Sequence, residues 1–327
     1  MKYMTENFSV IIPLYNKERE IKRAVRSVLS QTVKDFELII IDDGSTDNGP
    51  ARVREFNDPR IKLISQENRG VSAARNRGIA EAKNELISFL DADDEWTTDY
   101  LETIRRLRRK YPEAGLYATN YQFKKPQGYF KSPKIKGIPA PPWEGVMPDY
   151  FKPAYLGQPP VFTSATTIPK QILRIVGNFK EGEVLGEDID LWARIALEHP
   201  VCFTRKFCSI YFLDSNNRAC ITNIPQKPFP FIKTAASLIK SQQVNSTNIQ
   251  SLKEYVAKLE FQRIKQNIVA GKKKEARKIL GSFSTKRFHV LVFYYLWSVI
   301  PYKFTITAMK LNTGLASIFT GKFSRKF

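Results

Sequence analysis

Histidine and cysteine are scarce in this chain, which has two histidines and three cysteines among 327 residues. The cysteines (Cys202, Cys208 and Cys220) have no CxxC spacing, and their odd number excludes a fully paired disulfide framework. This pattern favours a reducing, intracellular compartment, and so few histidines argue against a zinc site. Only His199 and His289 could serve a Ser–His–Asp or Cys–His arrangement, and a lone histidine is more often structural.

Long hydrophobic runs are also lacking. The apolar stretch near the N-terminus is too short for the h-region of a signal peptide, so we expect residues 8–12 to form the first strand of the fold and Pro13 to end it. The most apolar stretch, FHVLVFYYLWSVI at 288–300, has 13 residues. A membrane-spanning helix needs roughly 20.

Acidic residues are depleted in the last third of the chain. The whole sequence has 52 Lys and Arg against 32 Asp and Glu, a net charge of +20. From Lys227 onward there are 19 basic residues and three acids, so this part carries +16 and the first 226 residues +4. The asymmetry predicts a polyanionic partner for the C-terminal region, either an anionic membrane or a nucleic acid. The basic residues lack a recognisable nucleic-acid-binding module, which favours the membrane.

Apolar runs and helical patterns alternate along the first 111 residues. The runs FSVII, FELIIID, IKLIS and LISFL predict buried strands, and 17–30, 70–83 and 97–111 have helical periodicity. This alternation predicts an α/β fold with a mostly parallel sheet flanked by helices. Ligands of such sheets bind beyond the carboxyl ends of the strands, where this chain has PLYN, DDGSTD and DADD.

The stretch LDADDEW at 90–96 concentrates carboxylates at a strand end, although Asp is disfavoured in strands. Mg²⁺ and Mn²⁺ prefer oxygen ligands, and Mg²⁺ commonly takes one or two carboxylates together with substrate phosphates. A lone DxD is weak evidence, because many acidic loops are solvated turns. DDGSTD at a second strand end of the same predicted edge strengthens the hypothesis of a metal and phosphate site.

Residues 122–160 interrupt the pattern with a segment rich in Pro, Gly, Lys and aromatic residues. Long loops in compact domains are usually functional or disordered. We therefore keep two interpretations, a surface insertion and a lid over the substrate. In the second, aromatic rings would stack on sugars; they are Tyr129, Phe130, Trp143, Tyr150, Phe151 and Tyr155.

Five motifs in order resemble the family 2 inverting nucleotide-sugar glycosyltransferases of the GT-A fold. They are VIIPLYNKE, SQTVKDFELIIIDDGSTD, NRGVSAARNRGI, ISFLDADD and LGEDIDLWARI, which span residues 8 to about 200. The resemblance implies a GT-A catalytic domain over 1–225 with a Rossmann-like nucleotide-sugar half (about 1–115) and an acceptor half (about 116–225). Residues 226–327 would form a basic helical C-terminal appendage, outside the resemblance.

The resemblance also implies a donor site. Pro13, Tyr15 and Glu18 would surround the base and ribose, and Asp43 would accept a hydrogen bond from the base. Asp93 would bind a divalent cation, Mn²⁺ or Mg²⁺, with Asp91 as its ribose or second-shell partner, and Asp94 could take either role. The rest of the implied donor site consists of Gly44 and Ser45 of the DDGS turn and of Arg75 near the diphosphate. Turn chemistry for Asp42 and Asp43, and a surface position for Arg75, remain the alternatives.

An inverting transfer needs a base that deprotonates the acceptor hydroxyl. The resemblance assigns this role to Asp188, at the start of a predicted helix and beside Glu187. Asp190 and Trp192 are weaker acceptor contacts, and for Trp192 a core position is the favoured interpretation. The chain lacks the QxxRW motif and the membrane helices of the processive members, which favours transfer of a single sugar.

We therefore expect a metal-dependent inverting glycosyltransferase that uses a nucleotide-diphosphate sugar, with UDP favoured by family frequency. Its acceptor would be a glycan or a lipid-linked sugar. We expect the protein in the cytoplasm, attached peripherally to the cytoplasmic face of the membrane through its basic C-terminal region; a helical cap or a dimer contact is the alternative for that region. The competing functions are a metal-dependent nucleotidyltransferase and a basic nucleic-acid-binding protein.

Overall fold

The computed structural model describes residues 6–215, 228–240 and 246–281. Within these residues the core is one ten-stranded sheet in the order β3-β2-β1-β4-β9-β6-β10-β5, with β7 paired to β6 and β8 to β10. The strands are β1 (Phe8–Leu14), β2 (Phe36–Asp43), β3 (Ile61–Gln66), β4 (Leu86–Phe89), β5 (Glu95–Trp96), β6 (Leu116–Lys124), β7 (Phe130–Lys131), β8 (Glu144–Val146), β9 (Thr166–Pro169) and β10 (Val201–Phe212).

The helices of the described residues flank this sheet or follow it in the chain. They are α1 (Ile21–Leu29), α2 (Gly49–Arg54), α3 (Val71–Glu81), α4 (Tyr100–Lys110), α5 (Phe151–Leu156), α6 (Lys170–Val176), α7 (Glu187–Glu198), α8 (Pro230–Lys240), α9 (Ser246–Val269) and α10 (Lys273–Gly281), with a 3-10 turn at Thr163–Ala165. This is the predicted GT-A type α/β fold.

Strands β1, β2, β3 and β4 are parallel, as their apolar runs predict. We expected Pro13 to end the first strand, and that expectation is wrong, because β1 continues to Leu14 with Pro13 opposite Ile41 of β2. The Ile11 carbonyl accepts a hydrogen bond from the Leu90 amide on the β4 side. Pro13, two residues on, faces the same side beyond the end of β4. Its missing N–H therefore breaks no bond of the ladder.

Helix α3 lies close to the sheet on a face of small residues. Ala73, Ala74 and Gly78 are buried, and a Cβ added at Gly78 would lie 2.4 Å from the Ile11 Cγ2 atom. Any larger side chain would push the helix away from β1. The Ala-rich pattern of 70–83 therefore has the packing role that the sequence predicts.

Strand β10 was not expected from the sequence. It runs parallel to β6 and antiparallel to β5 and β8, with register shifts between Thr204 and Ser209. The pair Arg205–Lys206 falls at this irregularity, where a bulge turns side chains away from the pleat. The bulge interrupts the alternation of apolar and polar residues. The two-residue period that identifies a strand in a sequence is therefore missing from β10.

The segment 122–160 contains β7, β8 and α5, and the sequence did not predict these elements. Tyr150 and Phe151, proposed as sugar-stacking residues, are 5% and 1% exposed. Phe151 instead stacks with Phe231 of α8 at 6.0 Å between ring centroids. For these two aromatics the prediction is wrong, because helix α5 turns them into the core. Tyr129 and Phe130 are exposed, and the lid itself stays a prediction.

Contacts divide the chain into two compact units. The described part of the first is 6–215 with 229–240 and 246–255, and that of the second is residue 228 with 256–281. The predicted boundary at 225 differs from this grouping, since α8 and the first part of α9 pack within the first unit. In the second unit α9 and α10 bury an apolar cluster, which agrees with the predicted helices: Ala257, Phe261, Ile264, Ile268, Ala276, Ile279 and Leu280.

No helix among the described residues is both long and apolar enough to cross a bilayer. The segment 288–300, for which we weighed membrane binding against packing or dimerisation, lies outside the described residues.

Candidate active site

The loops after β1 and β2 are joined by hydrogen bonds at the carboxyl edge of the sheet. The Asn16 amide donates to Ser45 Oγ at 3.1 Å, and the Thr46 amide donates to Asn16 Oδ1 at 2.8 Å. Asn16 has a φ of 51°, a left-handed conformation that asparagine tolerates better than most residues. Two of the loops that the sequence predicts at one edge therefore meet there.

At this edge the side chain of Tyr15 is open to a ligand, whereas that of Glu18 is held by other residues. The Tyr15 ring is 48% exposed, so a flat base could lie against it. Glu18 accepts from Arg52 at 3.0 Å and from the Asn48 side chain, and the Arg52 hydrogen bond lowers the pKa of its carboxyl. The side chain of Glu18 therefore already ties the first loop to helix α2.

Asp43 holds the end of β2 against the chain that leads into α3. Its carboxylate accepts from Gln66 Nε2 at 2.7 Å, from the Arg69 amide at 3.0 Å and from the Gly70 amide at 2.8 Å. Asp43 is only 3% exposed, but a carboxylate offers about four acceptor sites, so one is left for the predicted bond to a base. At Gly44 the φ of 74° and the nearness of the Asn68 amide, 2.9 Å from an added Cβ, both require glycine.

The three aspartates of DADD have three different environments. Asp93 pairs with Lys17, Oδ2 to Nζ at 2.8 Å, and its backbone carbonyl accepts from Arg23. Asp94 is fully buried and accepts from Ser164 Oγ at 2.5 Å and from the Phe212 amide at 3.3 Å. Burial, followed by the charges of Asp93 and Asp91, raises the pKa of Asp94 well above its usual range. Asp94 is thus a structural link to β10, and the ligand role that we left open for it is wrong.

Arg75 joins the end of β4 to the start of α7. One guanidinium nitrogen donates to Asp91 Oδ1 at 2.8 Å and the other to Glu187 Oε1 at 2.8 Å. The side chain is 4% exposed, so it is neither a surface arginine nor open to a diphosphate. Burial lowers the pKa of Arg75, but Asp91 and Glu187 outweigh it and the net pKa is raised.

Helix α7 begins at the glutamate–aspartate pair. Gly186 adopts the left-handed conformation at φ 82°, and a Cβ there would lie 2.5 Å from the Phe229 ring. Burial, and then the neighbouring Asp188, raise the pKa of Glu187 to about 7 although Arg75 opposes this. Asp188 is partly exposed and accepts from Thr163 Oγ1 at 3.1 Å. Of the two, Asp188 is therefore the carboxylate with an open side toward a substrate.

The structure does not place Asp190 or Trp192 at an acceptor. Asp190 is 0% exposed and pairs with Lys180 at 2.9 Å and with Arg194 at 2.8 Å. Trp192 is 1% exposed and packs against Phe89 and Phe179. The acceptor role predicted for Asp190 is wrong and the favoured core position of Trp192 is confirmed, because both side chains face the core.

Sequence reasoning missed the partners that hold these carboxylates. Lys17 lies in the quoted motif VIIPLYNKE but was not assigned a role, although its charge next to strand-end aspartates is the signal that could have found it. No sequence pattern points to Thr163 and Ser164, because the carboxylates that they contact, Asp188 and Asp94, are 25 and 70 residues away in the chain. Only the antiparallel return of β9 brings them to the site.

The sheet edge that carries these loops lies in a part of the chain that matches a known protein family. Residues 9–165, which include the loops after β1, β2 and β4, match the family Glycosyl transferase family 2. The chain therefore contains a domain of this family. The β-strand ends that bring PLYN, DDGSTD and DADD together thus lie inside the matched glycosyltransferase domain, whereas Glu187 and Asp188 lie beyond it.

Among the relatives, the UDP-Glc:alpha-D-GlcNAc-diphosphoundecaprenol beta-1,3-glucosyltransferase WfgD of Escherichia coli is 44% identical over 95 residues, covering 29% of this chain and 38% of that protein. Glycosyltransferase GlyA of Streptococcus pneumoniae is 35% identical over 127 residues, 38% of this chain and 18% of that protein. The matches thus span less than two fifths of these relatives.

Solved structures extend the likeness to the fold of nearly the whole chain. Residues 1–349 of S. aureus TarS, in complex with UDP-GlcNAc, superpose with a TM-score of 0.63 over 94% of this chain and 92% of that one. The sequences are 15% identical, so this likeness concerns the fold alone.

The residues at the DADD loop fit a divalent cation only if a substrate supplies most of its ligands. Among the described residues no three His, Cys, Asp or Glu side chains gather as a metal site. Asp93 and Asp91 nevertheless offer the one or two carboxylates that suffice for Mg²⁺ or Mn²⁺ when phosphates and water complete the shell. In this structure the Lys17 ammonium meets the charge of Asp93.

Proposed function

We propose that this glycosyltransferase domain transfers one sugar from a nucleotide-diphosphate sugar to a hydroxyl group, with inversion at the anomeric carbon. The observation that carries the proposal is the Asp91–Arg75–Glu187 bridge, with both hydrogen bonds at 2.8 Å. It connects the strand-end loop suited to a phosphate-bound metal with the helix that presents Asp188. Donor and acceptor chemistry would therefore meet at one edge of the sheet.

Asp188 is the proposed base. It would accept the proton of the acceptor hydroxyl as the oxygen attacks the sugar, while the bond to the diphosphate breaks on the opposite face. Thr163 Oγ1 donates to Oδ2 at 3.1 Å and the Ile189 amide donates to Oδ1 at 2.7 Å, and these two bonds fix the orientation of the carboxylate. Glu187, paired with Arg75, would keep the first turn of α7 in place without contacting the substrate.

The nucleotide would lie across the loops after β1 and β2, with its base against the exposed ring of Tyr15. We propose UDP as the nucleotide, because the names of WfgD and of the TarS complex both contain a UDP-sugar. The remaining acceptor site of Asp43 can take the imide N–H of uracil. Gly44 and Ser45 would bring the backbone close to the nucleotide.

Asp93, with Asp91 beside it, would hold a Mn²⁺ or Mg²⁺ ion. Such a cation would act as a Lewis acid that neutralises charge on the leaving diphosphate. Lys17 would then move from Asp93 toward a phosphate oxygen, or would remain as a second positive charge at the leaving group.

For the acceptor we propose a lipid-linked sugar at the cytoplasmic face of the membrane. The name of WfgD contains a diphosphoundecaprenol acceptor, and the basic C-terminal region suits an anionic surface. Peripheral attachment through that region stays a proposal, because most of it lies outside the described residues.

The first test measures thermal stability with UDP, GDP, dTDP and CDP, each with and without Mn²⁺ or Mg²⁺. A ligand that binds the native state raises the melting temperature. We expect UDP with metal to stabilise the wild type and to fail with Asp93→Ala, whereas the exposed Asp35→Ala control responds like wild type. Equal stabilisation of Asp93→Ala would contradict the metal site.

A product assay separates this proposal from the nucleotidyltransferase alternative. A glycosyltransferase releases a nucleoside diphosphate from the sugar nucleotide, whereas a nucleotidyltransferase releases pyrophosphate. Pyrophosphate release that depends on Asp93 would assign the site to the alternative. Binding of RNA or DNA with a steep salt dependence, and no effect of nucleotides, would favour the nucleic-acid-binding alternative.

A further inference from the structure

A hairpin of β6 and β7, residues 124–131, projects from the carboxyl edge of the sheet. Its tip is closed by hydrogen bonds from the Lys125 amide to the Tyr129 carbonyl at 3.0 Å and from the Gly128 amide to the Lys125 carbonyl at 2.8 Å. Residues 126–132 are all exposed. At the tip Tyr129 is 57% exposed and Phe130 47%. The rings of two successive residues are therefore exposed to solvent.

The charged side chains of this segment of the chain have a single sign. The sequence contains no acidic residue between Glu113 and Glu144, and five lysines lie in that interval: Lys124, Lys125, Lys131, Lys134 and Lys136. Lys131, Lys134 and Lys136 are exposed. Such a cationic surface is complementary to a layer of anionic headgroups.

The combination of rings and lysines favours a lipid surface over a soluble polyanion. Aromatic rings settle at the headgroup level of a bilayer, where their apolar bodies are buried and their edges stay wet. Lysines bury their carbon chains beside such rings and keep the ammonium in water. The Lys124 ammonium already lies 5.6 Å from the centre of the Phe130 ring.

The root of the hairpin adjoins the candidate active site. Lys124 of β6 pairs with Phe212 of β10, and the Phe212 amide donates to Asp94 of the DADD loop at 3.3 Å. Phe212 also lies beneath the Arg23 guanidinium, 3.4 Å from the ring centre, and Arg23 bonds to the Asp93 carbonyl. The hairpin and the carboxylates of the DADD loop thus share one edge of the sheet.

We propose that the hairpin 124–131 docks on the surface of a membrane rich in anionic phospholipid. Tyr129 and Phe130 enter the headgroup layer, and the lysines lie over its phosphates. The docking requires no glycosyl transfer; only the placing of a lipid-linked acceptor beside Asp188 rests on the proposed function.

The first test measures partition of the full-length protein onto phosphatidylcholine vesicles with and without about 30% phosphatidylglycerol. Each lysine near an anionic surface contributes about fivefold in affinity, so Lys125→Gln/Lys131→Gln should weaken partition by about 30-fold. Tyr129→Ala/Phe130→Ala should weaken it on the same vesicles. The matched controls are Lys83→Gln and the 64% exposed Ile175→Ala, which lie away from this edge and should partition like wild type.

A second measurement reports on the tip itself and is independent of the basic C-terminal region. An environment-sensitive dye on Gln127→Cys, in a Cys220→Ser background, should shift to the emission of a less polar environment when anionic vesicles are added. The same dye on Lys83→Cys should not respond. Neither assay needs a donor sugar, so failure here is distinguishable from failure of the proposed transfer.

Two results would overturn the proposal. One is unchanged partition of both hairpin variants together with no shift of the dye at position 127. The other is a dye shift with soluble polyphosphate but none with vesicles, which would make the hairpin a polyanion site. Partition reduced only in the hairpin variants, with a dye shift at 127 alone, is the supporting result.

Discussion

At the scale of single residues, Arg75 is the side chain on which most of the candidate site depends. It is buried between two carboxylates, each 2.8 Å from a different guanidinium nitrogen. A planar fork can join two such partners in a fixed geometry, and a lysine ammonium cannot. Arg75 therefore has a positioning role between the loop after β4 and the start of α7.

Two substitutions of Arg75 distinguish the role of its fork-shaped geometry from the role of its positive charge. We expect Arg75→Lys to lower kcat by about 100-fold, because a misplacement of about 1 Å can cost this much. The KM for the donor should change little. Arg75→Met leaves the buried Glu187 carboxylate and the partly exposed Asp91 carboxylate without this partner, and should lower the free energy of unfolding by about 3–5 kcal/mol. An increase in the KM for the donor, with kcat unchanged, would instead indicate that Arg75 contacts the diphosphate directly.

The base assignment predicts a contrast between two aspartates on one helix. Asp188→Asn keeps the shape of the side chain and should lower kcat by about 10²–10⁴-fold, the usual contribution of a general base. The melting-temperature shift caused by UDP should remain. Asp190→Asn, in a buried ion pair, should lower stability and leave the activity of the folded fraction intact. The reverse pattern would move the base to Asp190.

Glu187 should make stability depend on pH in a defined window. Its pKa is raised from 4.5 to about 7, so between these values the folded protein binds more protons than the unfolded chain. The free energy of unfolding should therefore fall as pH rises from about 4.5 to 7, by at most about 3 kcal/mol from this group. Chemical denaturation across this range measures the effect, and Glu187→Gln should flatten it. A free energy of unfolding that increases through this window because of Glu187 would contradict the raised pKa.

At the scale of secondary structure elements, the contact between α3 and β1 sets the position of Arg75. Helix α3 approaches the sheet through Gly78, whose hydrogen faces Ile11. Arg75 lies three residues before Gly78 on the same helix. A shift of α3 away from the sheet would carry the guanidinium away from Asp91.

Two glycine substitutions test this packing. Alanine favours a helix by about 1 kcal/mol over glycine, but at Gly78 its Cβ would overlap Ile11, so Gly78→Ala should destabilise by about 1–3 kcal/mol. Gly281 at the end of α10 has open space around an added Cβ, so Gly281→Ala should be neutral or slightly stabilising. Thermal unfolding of both variants is the measurement. If Gly78→Ala and Gly281→Ala had the same melting temperature, helix α3 would be able to move away from β1 without loss of stability.

At the scale of the whole molecule, charge is divided unevenly along the chain. Residues 285–327 contain seven lysines and arginines and no acid, so a protein that ends at Ser284 would carry +13 instead of +20. Interactions with an anionic surface add up over such charges and weaken with salt. The C-terminal region and the hairpin should therefore contribute independently.

Truncation after Ser284 tests this division. We expect weaker partition onto anionic vesicles and a smaller salt dependence, with the UDP-induced thermal shift unchanged. The Lys125→Gln/Lys131→Gln change should weaken partition of the truncated protein by the same factor as in the full chain. Complete loss of partition on truncation, with no further effect of the hairpin, would assign membrane binding to the C-terminal region alone.

Much of the α/β architecture was predictable from the sequence, because β1, β2 and β4 are continuous apolar runs and helices α1 and α4 have an amphipathic period. The same patterns predicted which strand ends meet. Strand β10 escaped prediction because a bulge at Arg205–Lys206 breaks its period. Pro13 was misjudged because only the length of the neighbouring strand decides whether its N–H is needed.

The sequence by itself determined the chemistry available at the sheet edge: the DADD carboxylates, the DDGSTD turn and the Glu187–Asp188 pair. Only the tertiary structure decided which of these face a substrate. Asp94 and Asp190 are buried in ion pairs or hydrogen bonds, whereas Asp93 and Asp188 keep partly exposed carboxylates. The physical reason is that burial and pairing come from elements distant in the chain. The return of β9 brings Ser164 to Asp94, and Arg75 on α3 reaches Glu187 across 112 residues.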